Sequence, residues 1–422
     1  MQRVASPLND WLARLETFSP EEIVLGLERV ELVLGRLDLD LPGTVFHIAG
    51  TNGKGSSAAM LESLLRATGS RVGTYTSPHI RRYNERIRVD AREATDAQII
   101  AAFAAIEAVR DDVPLTYFEF GTLAALVVFA DANVDMAILE VGMGGRLDAV
   151  NAVTPTAGLI TNIALDHCAW LGTDVEAIAL EKAGIMRADT PVVFASRQRP
   201  TGIDAQAQAV GARLIAAGRD YDWSLQRRNW SWRGMAHRLA RLDRPSLPGD
   251  VQIENAAGVL ALLEAAGLDR LLRESIVNAA LGMLRLNGRM QSVPGDRNWL
   301  LDVAHNPAAA AVLGDTLRAM PVSGRTIAII GMLDDKDVEG VLAGFGDTVD
   351  YWIATTADSP RAIVASELAR RAANAMNKAC LVADSLQQAL RHARSLAGPE
   401  DRILVTGSFY VVAPVLEMIA PS

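Results

Sequence analysis

The sequence predicts an α/β protein of two domains, a phosphate-binding domain over residues 1–288 and a smaller Rossmann-like domain over 289–422. Three observations predict it. A short apolar strand, Thr44–Ala49, runs into the glycine-rich turn Gly50-Thr51-Asn52-Gly53-Lys54-Gly55-Ser56 and then into helical periodicity, with Met60, Leu61, Leu64 and Leu65 on one face. Strand-like apolar runs then alternate with helical stripes, the pattern of a mostly parallel sheet. Finally, the alternation restarts after Leu286–Asn298, a stretch with two glycines and a proline that reads as an interdomain hinge.

The glycine-rich turn is the centre of the reading. Glycines let backbone N–H groups close around a phosphate, the helix N-terminus adds a favourable dipole, and Lys54 supplies a point charge. The general phosphate-loop pattern is matched imperfectly. Ile48 stands where its first glycine is expected, and Gly55 follows the lysine where a metal-binding hydroxyl usually does.

The elements follow in order. Ile23, Leu27 and Val30 share one face of an expected N-terminal helix; the phosphate-loop helix runs from about Ser56 to Thr68 and stops at Gly69. A strand at Arg71–Thr76 leads into Thr76-Ser77-Pro78-His79 and a basic stretch, Arg81–Arg86. Thr95 with Gln98 makes a capping box for the next helix, and Tyr117–Thr122 opens an almost wholly apolar, buried helix through Ala130. The strand Asp135–Val141 ends in Glu140, placed where α/β nucleotide enzymes carry metal-binding acids; a cap or loop acid is the alternative. A further strand, Ala157–Ile163, ends near Asp166-His167, and Thr173 with Glu176 predicts another capped helix carrying Lys182.

Between Pro200 and Gly249 the periodicity weakens around Trp223, Trp230 and Trp232, which predicts an irregular or antiparallel extension. Aromatics among arginines could also stack on single-stranded nucleic acid, but a net charge of −9 gives no general attraction to polyanions, so a packed sheet surface is preferred. A helix from Gln252 to Ala266 follows. The second domain has strands at Trp299–Val303, Thr326–Gly331, Tyr351–Thr355 and Arg402–Thr406, a charged turn Asp334–Asp337, and no dinucleotide-binding glycine fingerprint. Two distant cysteines, Cys168 and Cys380, indicate neither a disulfide framework nor a zinc site. With no secretion signal and no bilayer-length apolar run, the expectation is a cytoplasmic protein, monomeric, without nucleic-acid or membrane partners.

The loop Gly-Thr-Asn-Gly-Lys-Gly-Ser resembles that of the Mur ligase superfamily of ATP-dependent amide-bond-forming enzymes, and the whole chain resembles its bacterial folylpolyglutamate synthase/dihydrofolate synthase family. Besides the loop, the resemblance rests on Gly26-Leu27-Glu28-Arg29-Val30, Thr76–His79, Tyr117–Thr122, Glu140–Gly142, Gly144–Asp148, Leu165–His167, Glu181–Ile185, Gly288-Arg289, Asp302–Pro307, Gly331–Leu333 and Asp335–Asp337. One departure is Val251-Gln252, where the family often has His-Gln. The resemblance implies a P-loop Mur-ligase-like domain followed by a glutamate-ligase domain. It also implies ATP-dependent addition of L-glutamate to dihydropteroate and to reduced folates through an acyl phosphate.

The resemblance also implies roles for nucleotide, metal and glutamate residues, while the pterin pocket is chosen on chemistry, an aromatic ring to stack and polar arms to orient. ATP would be held by Asn52, Gly53, Lys54, Gly55, Ser56, Asn255, Arg289 and Asp302; Mg²⁺ by Ser77, Glu140 and His167. An imidazole is a less usual Mg²⁺ ligand, and a core or capping role is the alternative for His167. Lys54, Lys182 and His305 form the catalytic set, with His305 and Ser408 facing glutamate. Phe118, Arg146 and Asp148 are the choices for the pteroate pocket, a core position being the alternative for Phe118. Arg289 is expected to be an exposed hinge residue, with a structural ion pair as its alternative. The resemblance further implies that Lys182 is carbamylated, since a bare ammonium would repel the metal whereas a carbamate offers hard oxygens.

Three other functions stay open at this point: a synthase with only the folylpolyglutamate activity, a Mur-type peptidoglycan ligase, and an ATP-driven switch. The peptidoglycan ligases generally carry a UDP-sugar domain before the loop, and only 49 residues precede Gly50 here. The paired pocket motifs argue against the switch.

Overall fold

The computed structural model describes residues 6–18 and 25–419. The chain forms two compact units, the first comprising 1–163, 174–245 and 254–284, the second 164–173, 246–253 and 285–422. The segment 164–173 thus groups with the second unit although its sequence neighbours belong to the first.

The first unit is built on an eight-stranded sheet. In spatial order its strands are Arg92–Glu93, Ile87–Val89, Val72–Tyr75, Met136–Glu140, Thr44–Ala49, Ala157–Ile160, Pro191–Phe194 and Arg213–Ala216. All pairings are parallel except the two that Ile87–Val89 makes, with Val72–Tyr75 and with Arg92–Glu93. Thr44–Ala49 lies between Met136–Glu140 and Ala157–Ile160, so its C-terminal end opens beside the ends of both neighbours. One face is covered by a core that includes Phe103, Phe120, Phe129, Leu139 and Ile185. The helix Lys54–Arg66 buries Met60, Leu61, Leu64 and Leu65 completely.

Several boundaries differ from expectation for local reasons. The phosphate-loop helix begins at Lys54, two residues early, because Gly53 takes φ 86° and lets the turn close at once. The strand expected to reach Ile163 ends at Ile160, since Thr161 and Asn162 turn to bond the phosphate loop. Asp174, not Thr173, caps the helix Val175–Ala183, its side chain accepting from Ala177 N–H. Glu176 instead accepts the N–H groups of Thr201 and Gly202, at the start of the next helix. Of the N-terminal stripe, Ile23 lies outside the described residues, and the helix there is Glu28–Leu37.

The weakly periodic region resolves into a helix Thr201–Val210, the edge strand Arg213–Ala216, and an antiparallel three-stranded sheet of Asp222–Leu225, Asn229–Arg233 and Arg238–Asp243. Its tryptophans are buried, with the Trp230 and Trp232 indoles donating to the carbonyls of Asp243 and Ala257. They are packing residues, as expected for a sheet surface.

The second unit carries a six-stranded sheet in the order Gln291–Val293, Asn298–Leu301, Arg402–Thr406, Thr326–Ile330, Tyr351–Thr355, Cys380–Ala383. Only the edge strand Gln291–Val293 is antiparallel. That strand falls inside the stretch read as a hinge, which therefore belongs in part to the sheet of this unit. The helix Pro307–Ala319 starts directly after the first parallel strand, with Asn306 as its cap and Pro307 in the first turn. Among the described residues no helix is long and apolar enough to cross a membrane.

Candidate active site

In the first unit two lysine side chains, Lys54 and Lys182, converge on the carbonyl of Gly50. Gly50 has φ 140°, and a Cβ there would lie 1.8 Å from Thr161 Oγ1, so no other residue fits. The loop is fastened by Thr51 N–H to Asn162 O (2.9 Å), Asn52 N–H to Asn162 Oδ1 (3.0 Å) and Thr161 Oγ1 to Asn52 O (2.6 Å). Gly53, the residue before the helix, brings no side-chain cap, which leaves the first helical N–H groups for an anion. The Asn255 amide lies against Gly53, where an added Cβ would come 2.6 Å from its Oδ1. Gly55 faces the Glu140 carboxylate, 3.9 Å from the place of its missing Cβ, and Ser56 is buried beside it in the helix.

Two ammonium groups meet at this loop. Lys54 Nζ donates to the carbonyls of Gly50 (3.1 Å) and Thr51 (3.3 Å), while Lys182, buried at 5% exposure, donates to the same Gly50 carbonyl at 3.0 Å. Two cations sharing one acceptor repel each other, and an anion introduced between them, or a change of sign on one of them, relieves that repulsion.

Glu140 is buried, and its Oε2 accepts the Ser77 N–H at 3.0 Å, which brings Ser77 and Glu140 together. A hydroxyl and a carboxylate at adjoining strand ends are hard oxygen donors, and these two residues fit a divalent cation of the Mg²⁺ or Mn²⁺ kind. Among the described residues no cluster of three or more His, Cys, Asp and Glu could hold a metal by itself.

Phe118 is half-buried and packs against the core of this unit, in the first turn of the helix Tyr117–Asp131, with its ring 5.9 Å from that of Tyr75. Asp148 is buried and receives N–H bonds from Met143 (2.8 Å) and Val150 (3.1 Å). Burial raises its carboxyl to about 6, against the pull of these N–H groups and of the Lys54 charge. Arg146 is mostly exposed; its backbone N–H bonds Glu181 O and its guanidinium pairs with the Glu181 carboxylate at 2.8 Å. The loop carrying Asp148 is therefore latched to the helix turn carrying Lys182.

The second unit organises around Asp166, a residue given no role of its own in the sequence reading. Its carboxylate accepts from Lys336 Nζ (2.8 Å), Asn306 Nδ2 (2.9 Å) and His167 N–H (2.9 Å), and stands 3.4 Å from His305 Nε2. These partners hold Asp166 far below the usual carboxylate range, although burial alone would raise it. His305 Nδ1 faces the Val303 carbonyl at 2.8 Å; a carbonyl only accepts, so Nδ1 carries a proton. His167 takes a left-handed φ of 51° at the start of the short helix Cys168–Leu171. It is carried by this second unit, unlike Ser77 and Glu140. The signals for Asp166 and Lys336 were present in the motifs Leu165–His167 and Asp335–Asp337, but nothing local showed that they pair across 170 positions.

Asp302 accepts the N–H groups of Met290 and Ala304, each at 2.9 Å, and burial raises its carboxyl against the nearby Arg289 charge. Arg289 is half-buried, not exposed as expected, because its guanidinium lies 5.4 Å over the Phe409 ring. Ser408 is buried at the head of the helix Phe409–Ile419, its Oγ accepting the Tyr410 N–H.

A phosphate loop with converging lysines, followed by a second α/β unit, defines the Mur ligase class. Residues 48–263 match the Mur ligase middle domain and 288–409 the Mur ligase glutamate ligase domain. More narrowly, the chain belongs to the dihydrofolate synthase/folylpolyglutamate synthase family. It is 43% identical over 418 residues to the protein of that name from Escherichia coli K12, covering 99% of this chain and 96% of that one. Among solved structures it is similar to E. coli FolC in complex with DHPP and ADP, at 42% identity, TM-score 0.92 and 99% coverage of both chains. It is similar too to a bifunctional folylpolyglutamate synthase/dihydrofolate synthase with Mn, AMPPNP and L-glutamate bound, at 40% identity, TM-score 0.90 and 98% coverage of both.

Proposed function

We propose that this chain is an ATP-dependent ligase that adds L-glutamate both to dihydropteroate, giving dihydrofolate, and to reduced folates, giving folylpolyglutamates. The observation that carries the reading is the convergence of Lys54 and Lys182 on the Gly50 carbonyl, at the head of an uncapped helix. It is supported by relatives that carry both activities in their names. The acceptor's carboxylate oxygen attacks the γ-phosphorus of ATP and ADP leaves. The amine of glutamate then attacks the acyl carbon, loses a proton and expels phosphate.

Such a reaction asks the protein for positioning and charge. In this reading Lys54, the N–H groups of Gly53, Gly55 and Ser56, the Asn52 side chain and Arg289 hold the phosphates, while Asn255 lies on the base side and Asp302 contacts the nucleotide. Ser77, Glu140 and His167 would hold Mg²⁺, which when bound neutralises charge on the transferring phosphoryl group. Phe118, Arg146 and Asp148 orient the pterin end of the acceptor; His305 and Ser408 face glutamate. Residues 1–288 form the ATP and acceptor domain and 289–422 the glutamate-ligase domain. Lys182 acts as a carbamate, which replaces the repulsion between two lysines by attraction. The protein works as a cytoplasmic monomer with small-molecule substrates only.

The test supplies ATP, Mg²⁺ and glutamate with either dihydropteroate or tetrahydrofolate. Glutamate-dependent release of ADP with both acceptors is expected, and none with either acceptor would sink the proposal.

A further inference from the structure

The segment Gly26-Leu27-Glu28-Arg29 has no part in the scheme above, yet it touches both sides of the proposed acceptor pocket. Arg29, in the first turn of Glu28–Leu37, pairs with Glu119 through Nη2 to Oε1 at 2.6 Å and Nε to Oε2 at 3.4 Å. Glu119 is 3% exposed. A carboxylate that deep needs a countercharge, and the planar guanidinium supplies a two-pronged one. The same carboxylate accepts Thr116 N–H at 2.7 Å, and Thr116 Oγ1 accepts Glu119 N–H at 3.2 Å, a capping box that sets the turn bearing Phe118.

The other end of the segment reaches the opposite wall. Gly26 N–H donates to Leu147 O at 3.4 Å, between Arg146 and Asp148. The Phe118 ring in turn fills the space over Gly142, where a Cβ would lie 2.6 Å from its Cζ, and the next residue, Met143, donates to Asp148. The contacts close a circuit: Arg29, Glu119, Phe118, Gly142, Met143, Asp148, Leu147, Gly26.

We infer that Arg29 is a positioning residue for the acceptor substrate, holding Phe118 through Glu119 at a fixed distance from the Asp148 loop. The inference rests on the assignment of Phe118 and Asp148 to the pterin end. That end is common to both acceptors, so loss of Arg29 affects both equally and leaves ATP and glutamate alone.

The experiment compares wild type, Arg29→Met and Arg29→Lys by steady-state kinetics with each acceptor, and by pterin fluorescence titration for the acceptor Kd. Arg29→Met is expected to raise KM and Kd for dihydropteroate and tetrahydrofolate by the same factor, about tenfold, with KM for ATP and glutamate within about twofold. Arg29→Lys should recover part of the loss, since it keeps the charge but not the fork. Unchanged acceptor affinity in a folded Arg29→Met protein overturns the inference, and so does an equal rise in KM for all three substrates, which is what a merely structural pair would give. Should Arg29→Met not fold, Arg29→Lys decides, wild-type acceptor affinity being the overturning result. A wild type that binds pterins but turns over neither acceptor refutes the proposed function instead, while the titration still tests Arg29.

Discussion

The two units hold their lysines in opposite ways. In the first, the acceptors of Lys54 are the carbonyls of Gly50 and Thr51, neutral dipoles that orient the ammonium without cancelling it. In the second, Lys336 sits between the carboxylates of Asp166 (2.8 Å) and Asp335 (3.1 Å), with only 7% of its side chain exposed. A cation on dipoles keeps its field for an incoming phosphate. A cation between carboxylates has spent its field on the protein and fixes the groups around it.

The largest effects should come from the first kind. Lys54→Met is expected to lower kcat by about a thousandfold or more, as loss of charge stabilisation in phosphoryl transfer does, and Lys182→Ala by a similar factor through loss of its carbamate. Their denaturation midpoints should stay close to wild type. If Lys182 is carbamylated, formate or acetate should restore part of the activity of Lys182→Ala, and that variant should still bind ATP. Full activity in the alanine variant would remove the carbamate from the scheme.

Lys336→Met should show the reverse. It leaves Asp166 buried with a charge and one fewer partner, which costs about 3 kcal/mol by the usual measure of a broken buried pair. Urea denaturation reads this directly. A midpoint like that of wild type would place Lys336 with Lys54, as a residue of function rather than of architecture.

Arg289→Ala should fall between them, because Arg289 is half-buried over the Phe409 ring and its charge acts on Asp302. Turnover is expected to drop about ten- to a hundredfold, and stability to change by about 1 kcal/mol, the worth of a cation–π contact. A variant that melts early yet turns over normally would contradict this.

The same contrast explains what could be read in advance. The phosphate loop was legible because its chemistry is local: glycines, a lysine and a helix start lie within seven residues, Gly50–Ser56. The Thr95–Gln98 capping box was legible for the same reason, and it forms as read. Thr116–Glu119 has the same spacing and also forms a capping box, masked in the sequence by the almost wholly apolar run that follows it. The helix Thr201–Val210 was missed since its buried stripe is only Ile203 and Ala207, too thin to set a period. Asp166 was illegible as a centre because its donors come from residues 305, 306 and 336, far along the chain. Glu176 was misread because the helix starts one residue later than expected, which puts this acid at the second helical position, where it bonds the next helix instead of its own N-terminus.

The last expected effect leaves turnover aside and concerns a charge that the first unit keeps out. His47 lies in the central strand beside the phosphate loop, fully buried, with no protein partner for either ring nitrogen. Burial, and next the Arg187 charge, lower it from 6.5 to about 3. Between those values the unfolded chain binds a proton that the folded chain refuses, so this group's stabilisation is complete above 6.5 and is lost as pH falls, by at most about 1.4 kcal/mol per pH unit. Asp148 acts with the opposite sign. Its carboxyl is raised from 3.8 to about 6, so its contribution is complete below 3.8 and is lost as pH rises through 6. From about pH 4 to 6 the two slopes should cancel. Measured as the difference from wild type across this window, His47→Leu should become relatively more stable as pH falls, and Asp148→Asn relatively more stable as pH rises. The pair of difference curves should be mirror images. If the His47→Leu curve is flat, His47 is not being held neutral by the fold, and the first unit tolerates a buried cation in its core after all.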